Sequence, residues 1–391
     1  MLAGSGKRGA NTPELMGSNP TRAGDYNERV VLEAVRTRGT ATSSEIAAAT
    51  GLTHQAAINI VKRLLANEML VDAGKTSGAR GQPATRYNVN ARGAYALGLT
   101  VDREHISLVV LNLLGEIKHR VARNILFPSP EDVLDFVQKE TADIYARRIV
   151  PRRRVTGLGI AMPDGLAVPF FPDKPKAFER WNVIDFPAMC AQALDLPVYL
   201  ENDATSAAIG EHQFGQGSGL SSFIYVLISA GLGCGIVING QSYSRGKNHA
   251  GEIGNIPVGM SDGQRQILWD TVSLPGLYRE IGLKGVTVSS PDQVDLSVPA
   301  IADAVELWIQ KAVEVMVVPF ITINYVLSPQ MAFIGGQLPE VVVDRLCARL
   351  NHAVEQYETY TPITPFSRST VATDASALGA AVVVFRQNLL P

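Results

Sequence analysis

The sequence predicts a winged helix-turn-helix module over residues 25–92, followed by an α/β body of two similar lobes. Three observations predict it. Two short helical patterns meet at a glycine turn around Gly51, apolar strands alternate with helices from Ala94 onward, and the hairpin that opens the body starts again near Ser222. With 391 residues and 46% apolar content, the chain has enough material for two or three cores.

Charge divides the chain at the same place. The formal total is −2, from 35 Lys+Arg and 37 Asp+Glu. Through Arg92 there are 12 basic and 7 acidic residues, a local charge of +5, so the remaining 23 basic and 30 acidic residues give −7. A basic head on an acidic body points to a polyanion-binding module joined to something else. The three cysteines, Cys190, Cys234 and Cys347, are far apart and form no CxxC pair. That disfavours a disulfide framework or a cysteine-rich zinc site and suits a reducing cytoplasm. Residues 1–24 carry Gly, Ser, Asn and Pro without an apolar run, which predicts a frayed tail and no secretory leader. The longest apolar stretch, Val315 to Leu327, is broken by Pro319 and Asn324 and is too short to span a bilayer. The expectation is a soluble cytoplasmic protein without a membrane partner.

The head begins with a helical pattern of Val30, Val31, Ala34 and Val35, stopped by Gly39 after Arg36 and Arg38. Thr42 or Ser43 can cap a second helix to Thr50, with Glu45 in its first turn. After the Thr50-Gly51-Leu52 turn, Thr53 can cap a third helix to about Asn67, with Ala57, Ile60 or Val61, and Leu64 facing inward. Met69 to Val71 and Arg86 to Val89 read as strands of a wing whose loop holds Arg80 and Gln82. If the third helix enters a major groove, Thr53, His54, Gln55 and Asn59 lie at its base-facing start. Gln and Asn can pair bidentately with adenine, whereas Lys62 and Arg63 suit phosphates. Arg80 between glycines suits a narrow minor groove. A solvated helix face and a mobile surface loop are the competing readings of these positions. The partner expected is double-stranded operator DNA.

In the body, Ala94 to Val101, Ile106 to Leu111 and Glu116 to Ala122 read as strands. A helix near Pro130 to Ile149 leads into the strand Val155 to Met162, and a helix near Phe186 to Ala193 leads into Pro197 to Leu200. The layout restarts with Phe223 to Ile228, a turn at Ala230 to Gly233, and Cys234 to Ile238 before Asn239-Gly240, the strongest hairpin signal in the chain. Long helices follow near Pro299 to Leu327 and Pro339 to Glu358. A cleft between two such lobes is the default ligand site.

Several runs, taken in order, carry a family resemblance: Glu201-Asn202-Asp203-Ala204 after a strand, His249-Ala250-Gly251-Glu252-Ile253-Gly254, and the ending Asp374 to Ala381. From about Ala94 the chain resembles the ROK family (repressors, open reading frames and kinases). With the winged head it is similar to the repressor branch of that family. The resemblance implies an actin-like, ribonuclease-H-like fold, with a small lobe over 93–203, a large lobe over 204–373, and a closing helix over 374–389 that packs back on the small lobe. It implies a sugar or polyol effector held by Asn202, Asp203 and Glu252, with Asn255 and Asp270 at further ligand positions and Trp181 in a loop over the ligand. Asp203 matches the general base of the family's kinases, although its position also suits a plain N-cap or first-turn acid. Trp181 suits core packing equally well.

Departures from the family pattern are as informative. Its kinases carry Asp-x-Gly-Gly-Thr in the first hairpin, where this chain has Thr100-Val101-Asp102-Arg103-Glu104. Its second phosphate turn reads Ser229-Ala230-Gly231 here. Side-chain bulk and carboxylates at these turns oppose a triphosphate. Gly335-Gly336 matches the adenosine-side turn, but also reads as an ordinary strand-to-helix turn. Asn255, Ser261, Gly263 and Leu268 stand where the family has one His and three Cys around zinc, and they cannot form that tetrahedron. His249 alone reads as a packed residue. No metal, cofactor or catalytic residue is expected, and a homodimer or higher homo-oligomer is. The readings that compete with a sugar-responsive repressor are an active ATP-dependent sugar kinase carrying a DNA-binding head, and a regulator controlled by a protein partner.

Overall fold

Helix α1 (Pro20–Arg38) begins before Asp25, where the composition predicts a tail through Gly24. Proline fits a first helical turn because it has no N–H to leave unpaired there. A two-residue strand, β1 (Ala41–Thr42), precedes α2 (Ser43–Thr50), whose start is closed by a capping box between Thr42 and Glu45. Gly51 turns the chain at φ +69°, and the Thr53 hydroxyl caps α3 (His54–Ala66) by accepting from Ala56 N at 3.2 Å. Strands β2 (Leu70–Lys75) and β3 (Thr85–Val89) pair antiparallel, and β3 also pairs with β1, giving the order β1-β3-β2. Val31, Val35, Ile46, Ala57, Ile60, Val61, Leu64, Leu70 and Val89 bury together in apolar surroundings and supply the head's core.

The computed structural model describes residues 20–75, 83–167, 175–243, 250–261, 264–357 and 361–391. The chain separates into two compact units, one running to Val89 and taking in Leu389–Pro391, the other Asn90–Asn388.

The second unit contains two sheets with one plan. The first is built from β4 (Tyr95–Val101), β5 (His105–Asn112) and β6 (Ile117–Asn124), then, after α4 (Pro130–Ala146), β7 (Val155–Met162), and, after α5 (Phe186–Leu194), β8 (Val198–Asn202). Helix α6 (Asp203–Phe214) leads to the second sheet, which opens with β9 (Phe223–Ile228), β10 (Leu232–Ile238) and β11 (Gln241–Ser242). A hairpin of β12 (Pro257–Ser261) and β13 (Gln264–Ile267) follows, with α7 (Leu268–Thr271), α8 (Leu274–Leu283) and α9 (Pro299–Leu327). The chain then forms β14 (Ala332–Gly336), α10 (Glu340–Glu355), β15 (Phe366–Arg368) and α11 (Ala375–Asn388). The orders are β6-β5-β4-β7-β8 and β11-β10-β9-β14-β15. In each, three strands run antiparallel and two more join in parallel.

Two helices join the lobes. The apolar side of α6 (Ala204, Ala207, Ala208) packs with Phe223, Tyr225 and Phe333 of the second sheet. Helix α11 lies on the first sheet: a Cβ added at Gly159 of β7 would stand 1.9 Å from the Ala380 carbonyl oxygen. The helices also touch backbone to backbone, since a Cβ at Gly379 would stand 1.7 Å from the Ser206 carbonyl oxygen. The run of small residues that ends the chain is thus what lets α6 and α11 approach so closely. Among the described residues, no helix is long and apolar enough to cross a membrane.

Candidate functional site

The junction of β8 and α6 sets the floor of a cavity of about 510 Å³ between the two lobes. Asn202 is the N-cap of α6: its Oδ1 accepts from Ala204 N (3.0 Å) and Thr205 N (3.1 Å). That leaves the Asn202 amide NH2 as the donor for a ligand. Asp203 is the first helical residue, its Oδ1 accepts from Ala204 N at 2.8 Å, and its backbone carbonyl accepts from the Ser376 hydroxyl at 3.0 Å. Both side chains are buried and line the cavity. Capping and ligand contact are therefore compatible at this corner.

Glu252 and Asn255 reach the same cavity from the second lobe, on either end of a 3-10 turn at Ile253–Asn255. Two residues expected here are elsewhere. Trp181 donates from Nε1 to the Pro128 carbonyl at 2.8 Å and sits edge-on to Phe186 at 4.8 Å, so it belongs to the small-lobe core. Asp270 accepts from Ile267 N at 2.9 Å and lines a separate, larger groove along α9. The aromatic in the cavity wall is Trp269, held by a bond from its Nε1 to the Ala230 carbonyl at 3.0 Å. Only its place beside Asp270, after the apolar β13, could have signalled it. Asp164 and Arg103 also line the cavity; neither is recoverable from spacing, because loop 163–167 and the first hairpin meet only in three dimensions.

The turns that would cradle phosphates are closed on themselves. Arg103 N donates to Asp102 Oδ1 (2.7 Å), Gly231 N to Ser229 Oγ (3.2 Å), and Gln337 N to the Ile228 carbonyl (2.9 Å). The space between these turns and α11 is about 20 Å³, on the order of one water. Gly336 sits at φ +115°, and a Cβ there would stand 2.1 Å from the Ile228 carbonyl oxygen, so packing on β9 accounts for it. The Arg103 side chain is buried, donates from Nε to the Leu166 carbonyl at 3.1 Å, and comes up to Gly231 across the cleft.

Glu104, at the same hairpin tip, accepts a bond from the Tyr278 hydroxyl of α8 at 3.4 Å. Burial, and then the Asp102 charge, push its carboxyl up from 4.5 to about 7. A raised acid favours the folded state most below its unfolded pKa, and that contribution is lost as pH rises from 4.5 through about 7. Glu104→Gln should therefore be more stable than wild type at pH 8 by on the order of 2 kcal/mol and indistinguishable below pH 4.5. Urea titrations across this range check it; parallel pH profiles would refute the assignment.

On the head, Thr53, His54, Gln55, Asn59, Lys62 and Arg63 are all exposed, opposite the buried Ala57, Ile60, Val61 and Leu64. Gln55 donates to Asn59 Oδ1 at 3.2 Å, His54 Nε2 lies 3.2 Å from Ser44 Oγ, and Arg63 pairs with Glu28 of α1. Gln55, Asn59 and Lys62 therefore share one helical face. Arg80, Gln82 and His249 lie outside the described residues. So does Gly263; of the other three positions at the family's zinc site, Asn255 is exposed and Leu268 is fully buried in the large-lobe core. These residues do not fit zinc, and among the described residues no group of three or more His, Cys, Asp or Glu could hold a metal.

Two like sheets around a shared pair of helices define the actin-like, ribonuclease-H-like class. The ROK family matches residues 97–387, and the chain belongs to that family. The xylose repressor of Bacillus spizizenii is 24% identical over 280 residues, covering 69% of this chain and 72% of that protein. The crystal structure of a ROK family transcriptional regulator, a homologue of the Escherichia coli MLC protein, matches with a TM-score of 0.70 at 22% identity, covering 94% of this chain and 96% of that one. A ROK family glucokinase from Streptomyces griseus, solved with glucose and AMPPNP, matches with a TM-score of 0.59 at 20% identity, covering 74% of this chain and 99% of that one.

Proposed function

We propose that the protein is a sugar- or polyol-responsive, DNA-binding transcription regulator, acting as a repressor, and that it does not phosphorylate its ligand. One observation carries this reading: beside an interlobe cavity of about 510 Å³, the turns that would hold phosphates have N–H donors already satisfied, Arg103 comes up to Gly231, and the gap between the turns and α11 is about 20 Å³. Phosphoryl transfer is mainly positioning and charge neutralisation, and the Asp102 carboxylate, which lines the gap, opposes both. The repressor name of the Bacillus relative and the recognition-helix geometry of α3 support the regulatory half. The Streptomyces glucokinase shares the body's fold, which by itself says nothing of activity.

In this reading Asn202, Asp203, Glu252 and Asn255 bond ligand hydroxyls, and Trp269 offers an apolar wall. Ligand binds the closed lobes better than the open ones and so shifts their population. Movement of α6 is passed to α11 through their backbone contact. Two heads in a homodimer match a two-fold operator. On DNA, Gln55 and Asn59 read bases and Lys62 meets phosphate, with Thr53, His54, Arg63, Arg80 and Gln82 around them.

The test is binding to a duplex selected from a random pool by the full chain. Gln55→Ala should cost about 1–3 kcal/mol on the selected site and little on scrambled DNA, whereas Lys62→Ala should weaken both alike. Equal behaviour of the two variants would refute these roles.

A further inference from the structure

An arginine corner on the small lobe has no part in the cleft or the recognition helix. Arg147 and Arg148 follow α4, and Arg152, Arg153 and Arg154 make the single 3-10 turn that leads into β7. Five guanidinium groups thus fall within the eight residues 147–154, in a body whose net charge is −7. Arg154 donates from Nη1 to the Gly93 carbonyl at 3.3 Å, and Gly93 follows the last head strand by four residues, with exposed Arg92 just before it. The corner therefore holds the first residues of the body in place.

Ordinary local chemistry explains part of it. Arg147 pairs with Asp143 at 3.1 Å and Arg152 with Asp195 at 3.5 Å, and cations after α4 suit the helix dipole. It does not explain Arg148 or Arg153. Among the described residues neither these two nor Arg92 has a carboxylate in ion-pair range, and all three are exposed. Arg148 holds φ +55° because it closes α4: its N–H donates to the Tyr145 carbonyl at 3.1 Å and Ile149 N–H to the Ile144 carbonyl at 3.0 Å, which turns its side chain off the end of the helix.

We propose that this corner is a DNA-contacting surface of the body, which grips the phosphodiester backbone of duplex DNA. The inference rests on the DNA-binding role given to the head. Guanidinium groups are always charged and match phosphate oxygens as a planar fork. Such contacts carry no sequence information, but each releases counterions and so steepens the salt dependence of binding.

The experiment uses the full chain and a labelled duplex of about 40 base pairs carrying the site selected by the wild-type protein, with a scrambled duplex of equal length beside it. The double variant Arg148→Gln, Arg153→Gln should lose roughly tenfold or more in affinity for both duplexes, and its log K against log salt slope should fall by about 2. Matched thermal midpoints show that the fold is intact. A slope and affinity equal to wild type would overturn the proposal while leaving the head's role standing. Failure of the wild-type protein to select or bind any duplex would overturn the head's role, and this proposal with it.

Discussion

Gly379→Ala is expected to lower the stability of the body by about 3 kcal/mol or more, an outsized loss for one methyl group. The added Cβ would lie 1.7 Å from the Ser206 carbonyl oxygen. Neither party is a side chain that can rotate away, because helix backbone meets helix backbone. Relief requires α6 and α11 to separate, and α6 carries Asn202 and Asp203 at its start. The variant should therefore also weaken any stabilisation by ligand. Gly282→Ala, in α8, is the matched control: a Cβ there meets nothing within 4 Å, and helix propensity should gain up to about 1 kcal/mol. Equilibrium urea unfolding separates the two cases, and similar midpoints would contradict the interlock.

The second large effect belongs to Asp203→Asn. The change keeps size and one acceptor, so Ala204 N keeps its partner at the start of α6. What is lost is the charge that strengthens a bond from a ligand hydroxyl, worth about 2–3 kcal/mol or roughly 30- to 150-fold in affinity. Trp181→Phe should leave ligand affinity within about twofold while costing stability, because that indole bonds the Pro128 carbonyl in the small-lobe core. Isothermal titration with the sugar that gives the largest thermal shift checks both. A larger ligand defect in the Trp181 variant than in the Asp203 variant would reverse the assignment.

Much of the fold was legible because its signals are local. The Thr42 and Thr53 caps, the Gly51 turn and the inward face Ala57, Ile60, Val61 and Leu64 each announce a helix boundary or side. The repeated hairpin and Asn239-Gly240 announce the second lobe. The missed elements lack such signals. Strand β1 is two residues held only by β3, and β15 depends on a parallel partner distant in sequence. The β12–β13 hairpin carries Gly259 and Pro257 in strands and a bulge, which spoils alternation.

The site divides along the same line. Asn202, Asp203 and Glu252 were recoverable because the first two sit at a strand-to-helix junction and the family's runs mark all three. The exchange of Trp181 for Trp269 was not, since a tryptophan's use depends on what its ring meets. Likewise Asp270 is taken by a backbone N–H three residues earlier. The hairpin residues 102–104 were read as obstacles to phosphate. Their geometry adds that Asp102 satisfies the Arg103 N–H, while Arg103 and Glu104 reach the opposite lobe.

The central claim is that one chain couples a polyol cavity to a DNA-reading helix without phosphoryl transfer. The most direct test titrates a panel of free sugars and polyols into the full chain bound to its selected duplex, with ATP and magnesium present and phosphorylated sugar assayed in the same samples. At least one ligand is expected to change DNA affinity by about tenfold or more, Asp203→Asn to abolish the response while still binding DNA, and no sugar phosphate to accumulate. Sugar-dependent ATP turnover that is lost in Asp203→Asn would contradict the claim.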